Sequence, residues 1–167
     1  SIEWFENYVV IHACIGDRTN EALGRAIAAL LASRIGFEIG VYADPYRIAL
    51  FTPYPMDPHV VRDELLNMKP GDCLRAILST IDQTSLFLWR IWHVARRFGA
   101  VHRGAEFKLS QARALAKALK GTPVYEEAIR EILAEDLDVE GAEELLRGIA
   151  SGEVKLVVEE ASGGPSP

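Results

Sequence analysis

The sequence predicts an α+β fold, in which a small N-terminal strand–helix–hairpin sheet packs with a predominantly helical C-terminal block and a final strand. Alternating or continuous β-branched runs dominate the first third of the chain. After the proline-rich segment "TPYPMDP", apolar residues recur at helical spacing. The length of 167 residues suits a single domain, which we place over residues 1–160, with a sheet-forming part over 1–56, a mainly helical part over 57–160 and a flexible tail over 161–167.

The N-terminal part contains the predicted sheet. "YVVIHAC" is mostly apolar and β-branched, which predicts a buried strand and places His12 in the core as a hydrogen-bonded histidine rather than a catalytic base. After Gly16, the segment "NEALGRAIAALLASRI" has the apolar spacing of a helix. "FEIGVYA" and "YRIALF" alternate with period two on either side of Asp44-Pro45, which predicts a hairpin or tight turn.

The helical block follows from residue 58 onward. Apolar periodicity predicts helices at about 58–68, 71–81, 84–98, 108–119, 123–136 and 139–150. Thr122 and Asp138 are the expected N-caps of the last two helices. The run "EVKLVV" beyond Gly152 predicts the final strand.

Composition places the chain among soluble globular proteins, with 49% hydrophobic and 25% charged residues. No apolar run approaches the roughly 18 residues that a membrane span needs, so we expect no membrane partner. Cys14 and Cys73 are too few for a disulfide framework or a zinc site. We therefore expect two buried free thiols and a cytoplasmic location.

Catalytic signatures are missing from the sequence. It contains no Walker A loop, no G-x-G-x-x-G, no H-E-x-x-H and no G-x-S-x-G, and its four histidines lack metal-ligand spacing. We therefore expect no catalytic residue, no metal site and no ATP hydrolysis in this chain alone. The carboxylate-rich run "EEAIREILAEDLDVEGAEE" is typical of solvated helix faces.

Charge is unevenly distributed. Residues 1–104 hold 11 acidic and 11 basic side chains, whereas residues 105–167 hold 13 and 7, so the whole net charge of −6 lies in the second part. Within the neutral part, "SLFLWRIWHVARRFGAVHR" (85–103) carries four arginines, two histidines and two tryptophans without a carboxylate. An acidic total therefore does not exclude nucleic-acid binding.

The basic stretch predicts one amphipathic helix. At about 100° per residue, its basic groups and Trp89 share one face, an apolar arc that includes Phe98 forms the core face, and Trp92 lies at the border. Arginines neutralise phosphates, and an indole stacks on a base with about 1 to 3 kcal/mol. The candidate nucleic-acid-binding residues are Trp89, Arg90, His93, Arg96, Arg97 and Arg103. Alternatively, the basic face docks against the acidic helices after residue 123, with Trp89 packed between them.

Two further candidates lie in the N-terminal part. "IGDRTN" leads into a helix N-terminus, whose free N–H groups and dipole favour a phosphate, with Arg18 and Asn20 as side-chain donors. The alternative is an ordinary capped helix start. Arg47 follows the turn at Asp44-Pro45 and can either reach a ligand or pair with Asp44.

Four blocks in order, "VVIHACIGDRTNEALGRAIAALLASRIG", "DPYRI", "SLFLWRIWHVARRFGA" and "TPVYEEAIREILAEDLDVEGAEELL", resemble the DEAD/H-associated region of large helicase-related (Lhr-type) superfamily 2 helicases. The resemblance implies an accessory domain of an ATP-dependent 3′–5′ helicase that helps to bind and channel single-stranded DNA or RNA. It implies RecA-like motor and winged-helix domains of the same polypeptide as partners, with ATP and Mg²⁺ bound by the motors and no cofactor bound here. An alternative is a structural module that buttresses the motors without touching nucleic acid.

Overall fold

The structure is a computed structural model that describes residues 7–159 and confirms the α+β class. No helix in this range is long and apolar enough to cross a membrane. The elements, in chain order, are β1 (Asn7–His12), α1 (Asp17–Ile35), β2 (Gly40–Asp44), β3 (Arg47–Thr52), α2 (Pro58–Asn67), α3 (Asp72–Thr80), a 3₁₀ turn (Ile81–Gln83), α4 (Ser85–Arg97), α5 (Leu109–Leu119), α6 (Pro123–Glu131), a π-helical turn (Ile132–Asp136) and α7 (Val139–Ser151).

The three strands form one antiparallel sheet in the order β1-β3-β2, so the predicted hairpin and the strand before it are confirmed. Leu50 in the central strand is paired with Val9 on one side and Val41 on the other. Leu50 and Val9 are buried on the face that packs against α1. Alternation along the strands turns Tyr8 and Tyr42 to the opposite face, where both are exposed.

Helix α1 lies at the centre of the domain, between the sheet on one side and α2, α3 and α7 on the other. Leu23, Ile27 and Leu31 are fully buried, as their helical spacing predicts. Gly24 faces the sheet, and a Cβ at this position would lie 2.8 Å from methyl carbons of both Ile48 and Val41. The close approach of helix and sheet therefore requires a residue without a side chain at position 24.

In the second half of the chain, helix α4 packs against both α5 and α6. The predicted N-caps are confirmed: the Tyr125 N–H donates to Thr122 Oγ1 (3.5 Å), and the Gly141 N–H donates to Asp138 Oδ1 (3.0 Å). Each cap satisfies a backbone donor that the first helical turn leaves without an intrahelical partner.

The predicted final strand over 153–158 is wrong, because residues 153–159 have no regular secondary structure. Gly152 takes a left-handed conformation that ends α7, and the Val154 N–H then donates to the Gly148 carbonyl (3.0 Å). The chain folds back over the end of α7 instead of pairing with a sheet edge. The flexible tail that we expect over 161–167 lies outside the described residues.

Two residues that we expected in the core are exposed. Val9 faces α1, so the alternation of β1 turns His12 to the outer face of the sheet. Cys14 is exposed beyond the end of the strand, whereas Cys73 is buried as expected. Burial, together with the nearby charge of Glu143, raises the pKa of the Cys73 thiol to about 12, so this cysteine stays protonated at neutral pH.

We expect Gly24→Leu to destabilise the domain by about 1 to 3 kcal/mol, because the added carbons have no space between α1 and the sheet. Urea unfolding followed by circular dichroism measures the change. Ser33→Leu, at an exposed position of the same helix, is the control and is expected to stay within about 0.5 kcal/mol of the wild type. Equal effects of the two substitutions would contradict the close approach.

Candidate nucleic-acid interface

Helix α4 is the amphipathic helix that the basic stretch predicts. Thr84 caps it by accepting the Phe87 N–H (3.2 Å), and its apolar arc is buried against the rest of the helical block. Trp92, at the border of that arc, is buried with 4% exposed surface and drops out as a ligand contact. Phe98 is exposed, contrary to the prediction, because the helix ends at Arg97 and Gly99 then turns the chain with a left-handed φ of 79°.

Arg90, a predicted phosphate contact, is held inside the protein by three carboxylates. Its Nη1 lies 3.2 Å from Glu131 Oε2 and 3.0 Å from Glu135 Oε2, and its Nη2 lies 2.7 Å from Asp136 Oδ2. The side chain is only 22% exposed. The guanidinium thus joins the middle of α4 to the end of α6, and it is not available to a strand.

Arg97 is also paired, with the same Glu131 that Arg90 contacts. Burial opposes ionisation of this carboxyl, but the hydrogen bonds and charges of Arg97 and Arg90 outweigh it and hold the pKa of Glu131 below its usual range. Half of the predicted basic face, Arg90 and Arg97, therefore docks against the acidic helices, as the alternative interpretation expects.

Trp89 remains accessible, with 50% of its surface exposed. Its ring packs edge-on against Phe107, with centroids 5.0 Å apart, and against His93, with centroids 4.2 Å apart. Phe107 in turn packs edge-on against the buried Trp92 (5.8 Å). These contacts hold the indole in place while leaving half of it available for stacking.

His93 supports Trp89 but contributes no charge. It is half-buried, and its Nε2 is a buried atom without a hydrogen-bond partner among the described residues. Burial, and then the positive charges of Arg96, Arg90 and Arg97, lower the pKa of His93 below its usual value. The ring is therefore neutral at pH 7 and acts as a packing partner of the indole.

Arg96 and Arg103 are the predicted basic residues that remain unpaired. Both side chains are exposed, and neither forms an ion pair with any of residues 7–159. Arg96 follows Trp89 by seven residues, which is two helical turns, so the two side chains share one face of α4. A cation and an exposed indole on one face can engage a phosphate and a base of the same strand.

The predicted phosphate site at the start of α1 is not supported by its geometry. Arg18 Nη2 donates to the Ala134 carbonyl (2.6 Å), and Asn20 is fully buried, donating from Nδ2 to the carbonyls of Ala13 (2.7 Å) and Asp44 (2.8 Å). The cleft beside Arg18 is lined by the carboxylates of Asp17, Glu21 and Asp136, which repel a phosphate. We therefore leave Arg18 and Asn20 out of the interface.

Arg47 pairs with Asp44, which is the second of the two possibilities that the sequence leaves open. Its Nε donates to Asp44 Oδ2 (2.8 Å) across the hairpin turn, and its side chain is 56% exposed. The hydrogen bond from the Tyr46 N–H and the pairing with Arg47 lower the pKa of Asp44, and they outweigh burial, which raises it. The pair stabilises the turn, so we also leave Arg47 out of the interface.

Sequence reasoning missed two contributors to the surface around α4. Phe107, which positions Trp89, lies outside the predicted helices, and no local pattern links it to the indole. Helix α5 and its C-cap carry Arg113, Lys117 and Lys120 at the i, i+4, i+7 spacing of one helix face, a signal that the sequence does contain. Within residues 7–159, no group of three or more His, Cys, Asp or Glu side chains is placed to hold a metal ion.

The fold and the sequence define a class of protein. The model of the DEAD/H associated family matches residues 1–167, so the chain belongs to that family and the resemblance noted from the sequence is confirmed.

The most similar curated relatives include the ATP-dependent helicase Lhr-Core protein 2 of Thermococcus barophilus, 30% identical over 89% of this chain and 18% of that protein. The ATP-dependent helicase Lhr-Core of Saccharolobus solfataricus is 27% identical over 99% of this chain and 20% of that protein. The fold is also similar to part of helicase Lhr of Mycobacterium smegmatis, solved bound to ssDNA and AMP-PNP, with a TM-score of 0.67 and 22% identity over 86% of this chain and 19% of that one. The chain thus spans about a fifth of the length of these proteins.

We expect Glu131→Gln to destabilise the domain by about 2 kcal/mol at pH 7, because it removes the charge shared by Arg90 and Arg97. Since the folded pKa of Glu131 is lowered, this stability is present above the unfolded value of about 4.3 and is lost as pH falls through the folded pKa. Chemical unfolding at pH 7 and near pH 3 measures the difference between variant and wild type, which should shrink at the lower pH.

Glu127→Gln is the matched control on the same helix. Glu127 pairs with Arg130, whose side chain is 72% exposed, and an exposed ion pair contributes about 0 to 1 kcal/mol. If the Glu131→Gln variant is no less stable than the Glu127→Gln variant, the stabilising role of the Glu131 pairing with Arg90 and Arg97 is contradicted.

Proposed function

We propose that this chain is a non-motor accessory domain of an ATP-dependent 3′–5′ helicase, where it helps to bind and channel single-stranded DNA or RNA during unwinding. The observation that carries the proposal is Trp89, half-exposed and held by Phe107 beside the unpaired Arg96. Membership of the DEAD/H associated family and the similarity to a helicase solved with ssDNA support it.

The surface would bind a strand by two separate interactions. The indole of Trp89 would stack on a base, which is tolerant of sequence because every base has a π-face. Arg96, about 10 Å further along the helix axis, would neutralise a phosphate. Arg103 lies beyond the end of the helix and would extend the same positive region.

The partners and cofactors of the proposal follow from the family. The RecA-like motor domains and the winged-helix domain of the same polypeptide would drive translocation, with ATP and Mg²⁺ bound by the motors. This chain, without a Walker A loop, would hydrolyse no ATP and would need no cofactor of its own. Its contribution would be to hold the strand that the motors pull.

A second candidate function is a module that buttresses the motor domains without touching nucleic acid. The outer face of the sheet favours it, because Tyr8 is 57% and Tyr42 is 55% exposed there. Exposed aromatic residues on a sheet face are typical of protein interfaces. The two functions are compatible, since Trp89 and these tyrosines lie on different elements.

We expect Trp89→Ala to weaken binding of a fluorescein-labelled single strand by about 5- to 150-fold, which corresponds to the 1 to 3 kcal/mol of one stacked base. Fluorescence anisotropy at low salt measures the dissociation constant. Tyr54→Ala is the control, because Tyr54 is 65% exposed and packs against Phe37 in another part of the domain. If the wild type binds the strand and Trp89→Ala binds it equally well, Trp89 is not part of the binding surface.

For the buttress function we expect the double substitution Tyr8→Lys with Tyr42→Lys to reduce co-purification of the chain with the separately expressed motor domains. Docking would remove water from the two new lysine charges, which costs free energy. Trp89→Ala should leave that co-purification unchanged. Retention of full co-purification by the tyrosine variant would count against a docking role for the sheet face.

A further inference from the structure

A second positively charged surface lies on the helix pair α4–α5, in a groove that the Trp89 surface does not use. Arg113 and Lys117 of helix α5 and Lys120 just after its end form one wall, and Leu88 of α4 lies in the same groove. Gln83 and Asp82 of the 3₁₀ turn and Tyr125 of α6 complete the lining. The groove is therefore built by four elements rather than by one exposed helix face.

The position of α5 fixes which of its residues face the groove. Ala112 and Ala116 are buried against the helical block. Arg113, Lys117 and Lys120 fall within about 60° of one another around the helix, next to that packing side. Arg113 and Lys117 are exposed and form no ion pair with any described residue. Two cations one turn apart repel each other and favour an anion between them.

Asp82, the acidic residue in the lining of the groove, already has two partners. Asp82 accepts a hydrogen bond from the Tyr125 hydroxyl (3.1 Å) and lies 3.7 Å from Lys120 Nζ. Burial, and then the charge of Asp82, raise the pKa of Tyr125 to about 12, so the phenol is neutral and donates at pH 7. With three cations and one carboxylate in its lining, the groove keeps a net charge of two positive units.

The surroundings reinforce this charge. Between positions 84 and 120 the chain has eight basic residues and a single acidic one, Glu106. By contrast, the carboxylates that neutralise Arg90 and Arg97, which are Glu131 of α6 and Glu135 and Asp136 of the π-helical turn, do not line the groove. Glu126, next to Tyr125 on α6, is a further carboxylate whose charge acts on the groove. Arg113 and Lys117 still form no ion pair within the described part of the chain, so the groove remains positive.

We propose that this groove binds backbone phosphates of the single strand, as a phosphodiester track separate from the Trp89 stacking surface. The proposal rests on the proposed function, since it assigns a second contact of the same strand. Arg113 and Lys117 are about 6 Å apart along the helix axis, so they present separate charges along a line rather than one enclosed pocket for a free phosphate ion. No base is read by this groove, and its contribution is electrostatic.

The test compares Arg113→Gln/Lys117→Gln with the wild type in the full 167-residue chain, by anisotropy across a range of salt concentrations. Two probes are used: an ordinary labelled single strand, and an abasic strand of equal length that keeps phosphates but lacks bases. Glutamine retains helix propensity, and circular dichroism verifies folding. Lys69→Gln/Arg147→Gln removes two charges outside the groove and serves as the matched control.

The expected result is weaker binding of both probes by the α5 variant. The slope of log affinity against log salt should fall by about 1.4, because each lost phosphate contact on a single strand contributes about 0.7. Trp89→Ala should weaken the ordinary strand alone and leave the slope unchanged. The charge-matched control should leave both quantities unchanged.

The possible results separate the groove from the Trp89 stacking surface. If Arg113→Gln/Lys117→Gln keeps the wild-type affinity and salt slope while Trp89→Ala binds more weakly, the groove is not a phosphate contact and the proposed function stands. If Arg113→Gln/Lys117→Gln binds the strand more weakly and Trp89→Ala binds it like the wild type, the groove is supported and Trp89 is not a stacking contact. Displacement of the strand by inorganic phosphate at constant ionic strength would reassign the groove to a free anion. A wild type that binds neither strand would overturn both proposals.

Discussion

The arrangement of the helical block depends on the guanidinium of Arg90 and the three carboxylates around it. The cluster joins the middle of α4 to Glu131 at the end of α6 and to Glu135 and Asp136 in the π-helical turn that follows. A partly buried cation must keep its partners, because removing one leaves an uncompensated charge. The pairing therefore sets the rotation of α4 about its own axis. In that rotation Trp89 points outward while Trp92 is buried.

The same cluster explains why net charge is a poor guide to this domain. Glu131 of α6 and Glu135 and Asp136 of the π-helical turn neutralise one side of the basic stretch, whereas Glu143 of α7 is buried and accepts the Gly71 N–H. The cations that form no ion pair among the described residues include Arg96, Arg103, Arg113 and Lys117. A chain with a net charge of −6 can thus present a positive surface to a strand.

The polar side chains at the start of α1 have a structural role, because they bond to other parts of the domain instead of facing a ligand. Asn20 ties the ends of β1 and β2 to the helix through the carbonyls of Ala13 and Asp44, while Thr19 Oγ1 donates to Asp138 Oδ2 (2.9 Å) at the start of α7. Arg18 adds its bond to the Ala134 carbonyl. These bonds hold the sheet and the helical block together, which accounts for the burial of Thr19 and Asn20 at a helix N-terminus.

The sequence by itself determined the local structure: the hairpin, the capped helices, the core face of α4 and the family. These follow from periodicity and capping, which act over a few residues. Only the tertiary structure decided which arginines are paired, since Arg90 and its partner Asp136 are 46 positions apart and the same helix face is compatible with solvent or with a partner. It also decided that "EVKLVV" is not a strand, because an apolar run becomes a strand only where a sheet edge can accept its hydrogen bonds. The position of the Trp89 ring was decided in the same way, by its contact with Phe107 in the loop between α4 and α5.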